Sequence, residues 1–301
     1  MLKTLQFKIS TDPALVDAFS DYLIGVHDAA TEFSVDDDGR GAVLQAFVEK
    51  DCGSGREIAQ LQEEIRAYGA EIADIFSCAA PRVAVEVVEN SDWAENWKAH
   101  FKPFAIVDGL VIAPTWEPYK ARGGEQVIVM DPGMAFGTGH HATTRLCLEM
   151  MQDGRVAPPG CRVLDVGTGT GILAMAALLK GASQALAIDN DDEAVAAART
   201  NAERNGLGMR MEVSGMPLGQ VAPGFDLVIA NIVHDVLVEL SDLLAAAARI
   251  GGHVLLSGIL EGEQSRNLID LFERKGFELS KRLSEESWCA LLLHKLEPGT
   301  T

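Results

Sequence analysis

The sequence predicts two α/β regions in series: a small ferredoxin-like α+β domain, then a larger doubly wound, Rossmann-like α/β domain. Three observations carry this. Residues 3–88 read as β-α-β-β-α-β, the ferredoxin-like order. From residue 143 onward, apolar strand runs alternate with helix-length segments, the pattern of a mostly parallel sheet covered on both faces. Within that second pattern the run Gly167-Thr168-Gly169-Thr170-Gly171 joins an apolar strand to an apolar helix.

The elements follow in order. Leu5, Phe7 and Ile9 alternate with polar residues and predict a strand over 3–10. Asp12-Pro13 opens a helix through about Val26. Strands at 29–35 and 42–49 flank a turn at 37–41, a helix spans 55–74, and 83–88 is a further strand. Trp93 and Trp97 fall at i, i+4 spacing in a helical stretch at 92–104, where they read as a staple between domains. A short β region covers 110–116 and 126–130. Strands are then expected at 162–166, 185–189, 209–213, 225–230, 252–257, 277–283 and 288–294. Helices are expected at 143–152, 171–180, 191–205, 234–249 and 261–275. The last two strands, joined by Ser284-Glu285-Glu286, should pair antiparallel.

Charge narrows the function. The chain of 301 residues has a formal net charge of −19. Residues 1–95 hold 7 basic against 19 acidic side chains, so the first third is much the more acidic. Phosphate repels such a surface, which argues against a general nucleic-acid grip and suits a basic protein partner. The five cysteines form no C-x-x-C pair, so neither a zinc site nor a disulfide framework is indicated. His140 and His141 are adjacent, which is not the spacing of a helical metal pair. No apolar signal core or membrane-length apolar run is present, and a cytoplasmic location is expected.

The chemistry concentrates at strand ends. Val163-Leu164-Asp165-Val166 runs into the glycine loop, whose backbone can approach a ligand closely and whose following helix offers free N–H groups. Gly169-x-Gly171-x-x-Ala174 also fits the dinucleotide pattern. Asp165 weighs against that, because a carboxylate there would repel a pyrophosphate. S-adenosylmethionine (SAM) carries an ammonium and a sulfonium instead, which a carboxylate attracts. Asp189 ends the next strand about 20 residues on, where a carboxylate can accept both ribose hydroxyls. Asp191, Asp192 and Glu193 read as helix-capping acids. Asn231 ends the strand Phe225–Ala230, where a neutral amide can orient an amine. The loop from Asp131 to Thr144, DPGMAFGTGHHATT, enters a helix that Thr143 or Thr144 can cap, and it lacks the lysine of a phosphate-binding loop.

These motifs together resemble the ribosomal protein L11 methyltransferase family (PrmA) over nearly the whole chain. The loop at 131–144 is the most specific of them, beside the W-K-x-x-F-x-P linker around Trp97 and the A-N-I strand end at Asn231. His140 and Ala142 depart from the Thr and Pro usual at those positions. The resemblance implies a SAM-dependent methyltransferase that adds methyl groups to lysine and N-terminal amines of one large-subunit ribosomal protein. It implies a substrate-recognition domain at 1–91, a linker helix and β segment at 92–120, and a SAM-binding domain at 121–296. It implies that Thr144, Gly167, Asp189 and Asn231 contact SAM; the glycine loop itself adds Gly169 as a cofactor contact, and Asn231 can also orient the amine.

Overall fold

The structure, a computed structural model, describes residues 2–27, 29–36, 41–51, 55–76, 78–88, 102–131 and 141–297. The expected helix at 92–104 with Trp93 and Trp97, and most of the loop that follows Asp131, including His140, lie outside the described residues. The chain divides into two compact units, the second beginning at Pro103.

The first unit is built as β1 (Leu2–Thr11), α1 (Val16–His27), β2 (Ala30–Val35), β3 (Ala42–Asp51), α2 (Gly55–Phe76) and β4 (Arg82–Val88). Asp12 caps the turn before α1, its Oδ1 accepting from Ala14 N–H at 3.0 Å. The sheet order is β2-β3-β1-β4, with antiparallel pairing throughout. Leu5, Phe7 and Ile9 pair with Val48, Ala46 and Leu44 on one side and with Val87, Val85 and Val83 on the other. That register lines one face with apolar side chains. Phe19 and Leu23 of α1 and Leu61, Ile65 and Ile72 of α2 close over it.

The second unit opens with a small sheet, β5 (Phe104–Val107), β6 (Leu110–Ala113) and β7 (Gln126–Val129). Then follow α3 (Ala142–Met150), β8 (Arg162–Val166), α4 (Ile172–Leu179), β9 (Gln184–Ile188), α5 (Asp192–Arg204), β10 (Met211–Ser214), β11 (Phe225–Asn231), α6 (His234–Ala247), β12 (Ala248–Leu260), α7 (Glu263–Glu273), β13 (Phe277–Glu285) and β14 (Trp288–Lys295). Seven strands order as β10-β9-β8-β11-β12-β14-β13, parallel except for β14, which runs antiparallel to both neighbours. Both faces are buried. Val163, Leu227, Ile229 and Leu255 face the α3, α4 and α5 side. Leu164, Val228, Ala230, Val254 and Leu256 face α6 and α7. This is why these strands read as continuous apolar runs rather than alternating ones.

Several boundaries differ from the sequence reading. β5 was not anticipated, because Phe104–Val107 is too short and too mixed in burial to show a period. β10 starts at Met211 rather than 209, since Met209 lies 98% exposed in the preceding turn. The last hairpin is tighter than expected. Ser284 and Glu285 pair with Cys289 and Trp288 inside the ladder, which leaves Glu286-Ser287 as the turn, Glu286 taking a positive φ of 54°.

Phe7 is fully buried at the centre of the first unit. Phe7→Ala should cost about 3–5 kcal/mol of that unit's stability, read as a lowered unfolding midpoint in denaturant.

A strand-edge site around the glycine loop

β8 is the point where strand order reverses, with β9 on one side and β11 on the other. Open α/β sheets bind ligands beside the carboxyl ends of strands at such a point. Gly167, Gly169 and Gly171 occupy the loop after β8 with φ of 70°, 54° and 83°. Gly167 donates its N–H to Ile188 O at 2.9 Å, at the end of β9. A Cβ on Gly167 would lie 2.4 Å from Ile232 Cγ2, just past the end of β11. The loop is thus threaded between two strand ends, and only a residue without a side chain passes there.

Asp165 differs in role from the sequence reading. It is 1% exposed, and its Oδ2 accepts from Thr168 Oγ1 at 2.7 Å and from Ala174 N–H at 3.2 Å. The carboxylate therefore ties the start of the loop to the first turn of α4. Burial pushes its pKa up to about 6, against the lowering effect of those two donors, and the charge of Asp189 raises it further.

The predicted residues fall into two pairs, with Gly167 between them. Asp189 Oδ2 accepts from Gly169 N–H at 2.9 Å, and its Oδ1 accepts from Asp191 N–H at 3.1 Å. Each oxygen keeps a second lone pair, and the side chain is only half-buried, so it can still accept hydroxyls. Asp191 caps α5 as expected, accepting from Glu193 N–H at 2.9 Å. On the other side, Asn231 Nδ2 lies 3.5 Å from Thr144 Oγ1, both residues being buried. Asn231 Oδ1 is buried and has no hydrogen-bond partner among the described residues. Such an orphan costs about 1–3 kcal/mol unless a donor outside the described residues meets it.

The cap of α3 is a correction. Neither Thr143 nor Thr144 caps it; His141 does, its Nδ1 accepting from Thr143 N–H at 3.3 Å. Histidine is not among the common capping residues, which is why the sequence pointed to the threonines. The sequence reading also missed Asn201, whose Nδ2 donates to Thr170 O at 3.0 Å and holds the glycine loop from α5. Its signal was present: Asn201 falls three residues after Ala198, on the same face as the buried stripe Ala194, Ala198, Ala202. At the base of the loop after β7, Asp131 accepts from Thr115 N–H at 2.7 Å and from Thr115 Oγ1 at 2.9 Å, and pairs with Arg204 at 3.3 Å.

Known proteins resemble this chain along its length. The family model described as Ribosomal protein L11 methyltransferase (PrmA) matches residues 3–296. A relative named ribosomal protein L11 methyltransferase from Desulfotalea psychrophila is 44% identical over 296 residues, covering 98% of this chain and 99% of its own. One of the same name from Geobacter sulfurreducens is 39% identical, covering 92% and 93%. Among solved structures, the ribosomal protein L11 methylase of Lactobacillus delbrueckii subsp. bulgaricus is similar with a TM-score of 0.60 and 32% identity, covering 65% of this chain and 100% of that one.

The geometry of Asp165 predicts a pH-dependent stability difference. A carboxyl whose folded pKa lies above its unfolded value near 3.9 contributes fully below that value and loses the contribution as pH rises through about 6. An amide oxygen can accept from Thr168 and Ala174 without the charge. Asp165→Asn should therefore raise Tm at pH 7.5, by an amount equivalent to about 3 kcal/mol. The gain should shrink to nothing near pH 4. A thermal melt series across that range checks it; a lower Tm at pH 7.5 would show that the buried charge stabilises the loop.

Proposed function

Because the chain belongs to the ribosomal protein L11 methyltransferase family, we infer that its strand-edge site transfers methyl groups to amines of that ribosomal protein. The enzyme is SAM-dependent. The site fits this cofactor on its own geometry: Asp189 presents a half-buried carboxylate, and Asn231 carries a buried acceptor with no partner among the described residues. When bound, SAM supplies a methyl group already activated on a sulfonium. We assign Asp189 to the ribose hydroxyls, Gly167 and Gly169 to close backbone approach, and Thr144 and Asn231 to the reacting end.

The observation that carries the reading is the open Oδ1 of Asn231. A carbonyl oxygen in that position accepts one N–H of an incoming amine and fixes its direction. The nitrogen lone pair stays free to face the methyl group, and holding it in line supplies much of the acceleration. A lysine amine has a reference pKa near 10.4, so its neutral form must be favoured in the site. Desolvation among the buried strand ends does this without a base. We therefore assign orientation and water exclusion to this chain's residues and no proton-abstracting role to any of them. Lysine side chains and the N-terminal amine are the acceptors on this reading.

We assign the acidic segment 1–91 to recognition of a basic substrate, 92–120 to a linker helix and β segment, and 121–296 to the chemistry. No helix among the described residues is long and apolar enough to cross a membrane. We assign the reaction to the cytoplasm, on a basic ribosomal protein, with no direct grip on nucleic acid.

Two outcomes test these assignments. Asp189→Ala should weaken SAM binding by about 10- to 100-fold in a titration, the loss of hydrogen bonds to a charged acceptor; unchanged affinity would remove Asp189 from the site. For the intact enzyme, kcat/KM toward its protein substrate should fall as salt rises past about 0.1 M, where screening acts over about 10 Å. A salt-independent kcat/KM would mean that the acidic segment does not steer the encounter.

A further inference from the structure

β12 carries an irregularity beside the site. Leu256 pairs with Leu291 of β14, but the next pair is Ile259 with Cys289, so Ser257 and Gly258 together oppose Ala290 alone. This one-residue bulge resets the strand's phase. Leu256 and Ile259 both enter the core beneath α6 and α7, although residues three apart in a regular strand point to opposite faces. Ser257, fully buried, is left facing α3.

Ser257 and Gly258 touch both sides of the Asn231–Thr144 pair. Ser257 O accepts from Ile232 N–H at 3.2 Å, which fixes the backbone immediately after Asn231. Ser257 Oγ lies 3.4 Å from Thr143 O and 3.2 Å from Cys289 O, linking the first turn of α3 to β14. Gly258 has φ of 82°, and a Cβ there would sit 2.5 Å from Ile232 O and 2.9 Å from its carbonyl carbon. The chain leaving Asn231 rests directly on Gly258, where no side chain fits. The Asn231–Thr144 contact is long at 3.5 Å, so small shifts of α3 or of Ile232 decide whether it exists.

We propose that the Ser257-Gly258 bulge is a positioning device for methyl transfer, with Ser257 setting the separation of Thr144 from Asn231 and Gly258 setting the exit of the chain past Asn231. The proposal rests on the reading of Asn231 as the amine-orienting residue. Bulges re-aim neighbouring side chains beside active sites. Here the re-aimed unit is an amide oxygen that must stay open in a buried position. A misplacement of about 1 Å is enough to cost 100-fold in rate.

A double-mutant cycle on the full-length enzyme tests this, with kcat and KM for ribosomal protein L11 and SAM affinity measured for Ser257→Ala, Asn231→Ala and the pair. Ser257→Ala should lower kcat about 10- to 100-fold, with KM and SAM affinity within about 3-fold of wild type. In the Asn231→Ala background the same change should alter kcat less than about 2-fold, because its route of action is gone. Ser257→Cys, which keeps the volume and a weak donor, should fall between; it replaces Ser257→Ala in the cycle if the alanine variant loses its cooperative melt. Effects that multiply in the double variant would overturn the proposal, as would wild-type kcat in Ser257→Ala. If Asn231→Ala itself keeps wild-type kcat, the reading of Asn231 fails and the bulge has nothing to position.

Discussion

The site depends on one steric constraint: at Gly167 there is no room for a side chain. The loop after β8 passes between the end of β9, through the bond to Ile188 O, and Ile232 at the end of β11. That passage joins the two halves of the site. Asp189 and Gly169 lie on one side of it, Asn231 and Thr144 on the other. Asn201 reinforces the loop from α5, and Asp165 reinforces it from within. The close approach at Gly167 is what brings the loop that carries Gly169 to the strand ends at Ile188 and Asn231.

The fold was legible because the strands that matter are buried on both faces. Val163–Val166, Ala185–Ile188 and Phe225–Ala230 stand out as short apolar runs bounded by polar or glycine residues, and their ends mark the site. Asp189 and Asn231 could be read for the same reason: each is a polar residue at the end of such a run. The side-chain partners inside the loops were not legible. Asp165 reads from sequence as a ligand-facing carboxylate, whereas its Oδ2 accepts from both Thr168 and Ala174. The cap of α3 by His141 depends on a local geometry that residue type does not announce. The bulge at Ser257-Gly258 hides in Val254-Leu255-Leu256-Ser257-Gly258-Ile259-Leu260, which reads as an unbroken strand, because the extra residue is defined only against β14.

Charge is divided by burial. Asp165, fully buried near the end of β8, is engaged internally and raised in pKa, whereas Asp189 remains half-buried. A neutral amide, not a charge, closes the opposite side. That division suits an amine substrate that must arrive as a cation, lose its proton and react uncharged. On the proposed reading, the acidic first third of the chain would serve the arrival and the uncharged edge at Asn231 the reaction.

The central claim is that SAM and the amine meet between Gly167 and Asn231. The most direct measurement is an NMR titration of the isotope-labelled full-length protein with SAM, following the backbone amides of Gly167 and Gly169 and the side-chain amide of Asn231. The account predicts that all three signals shift together and saturate at one affinity. Saturable shifts confined to other parts of the chain, with these three unmoved, would contradict it.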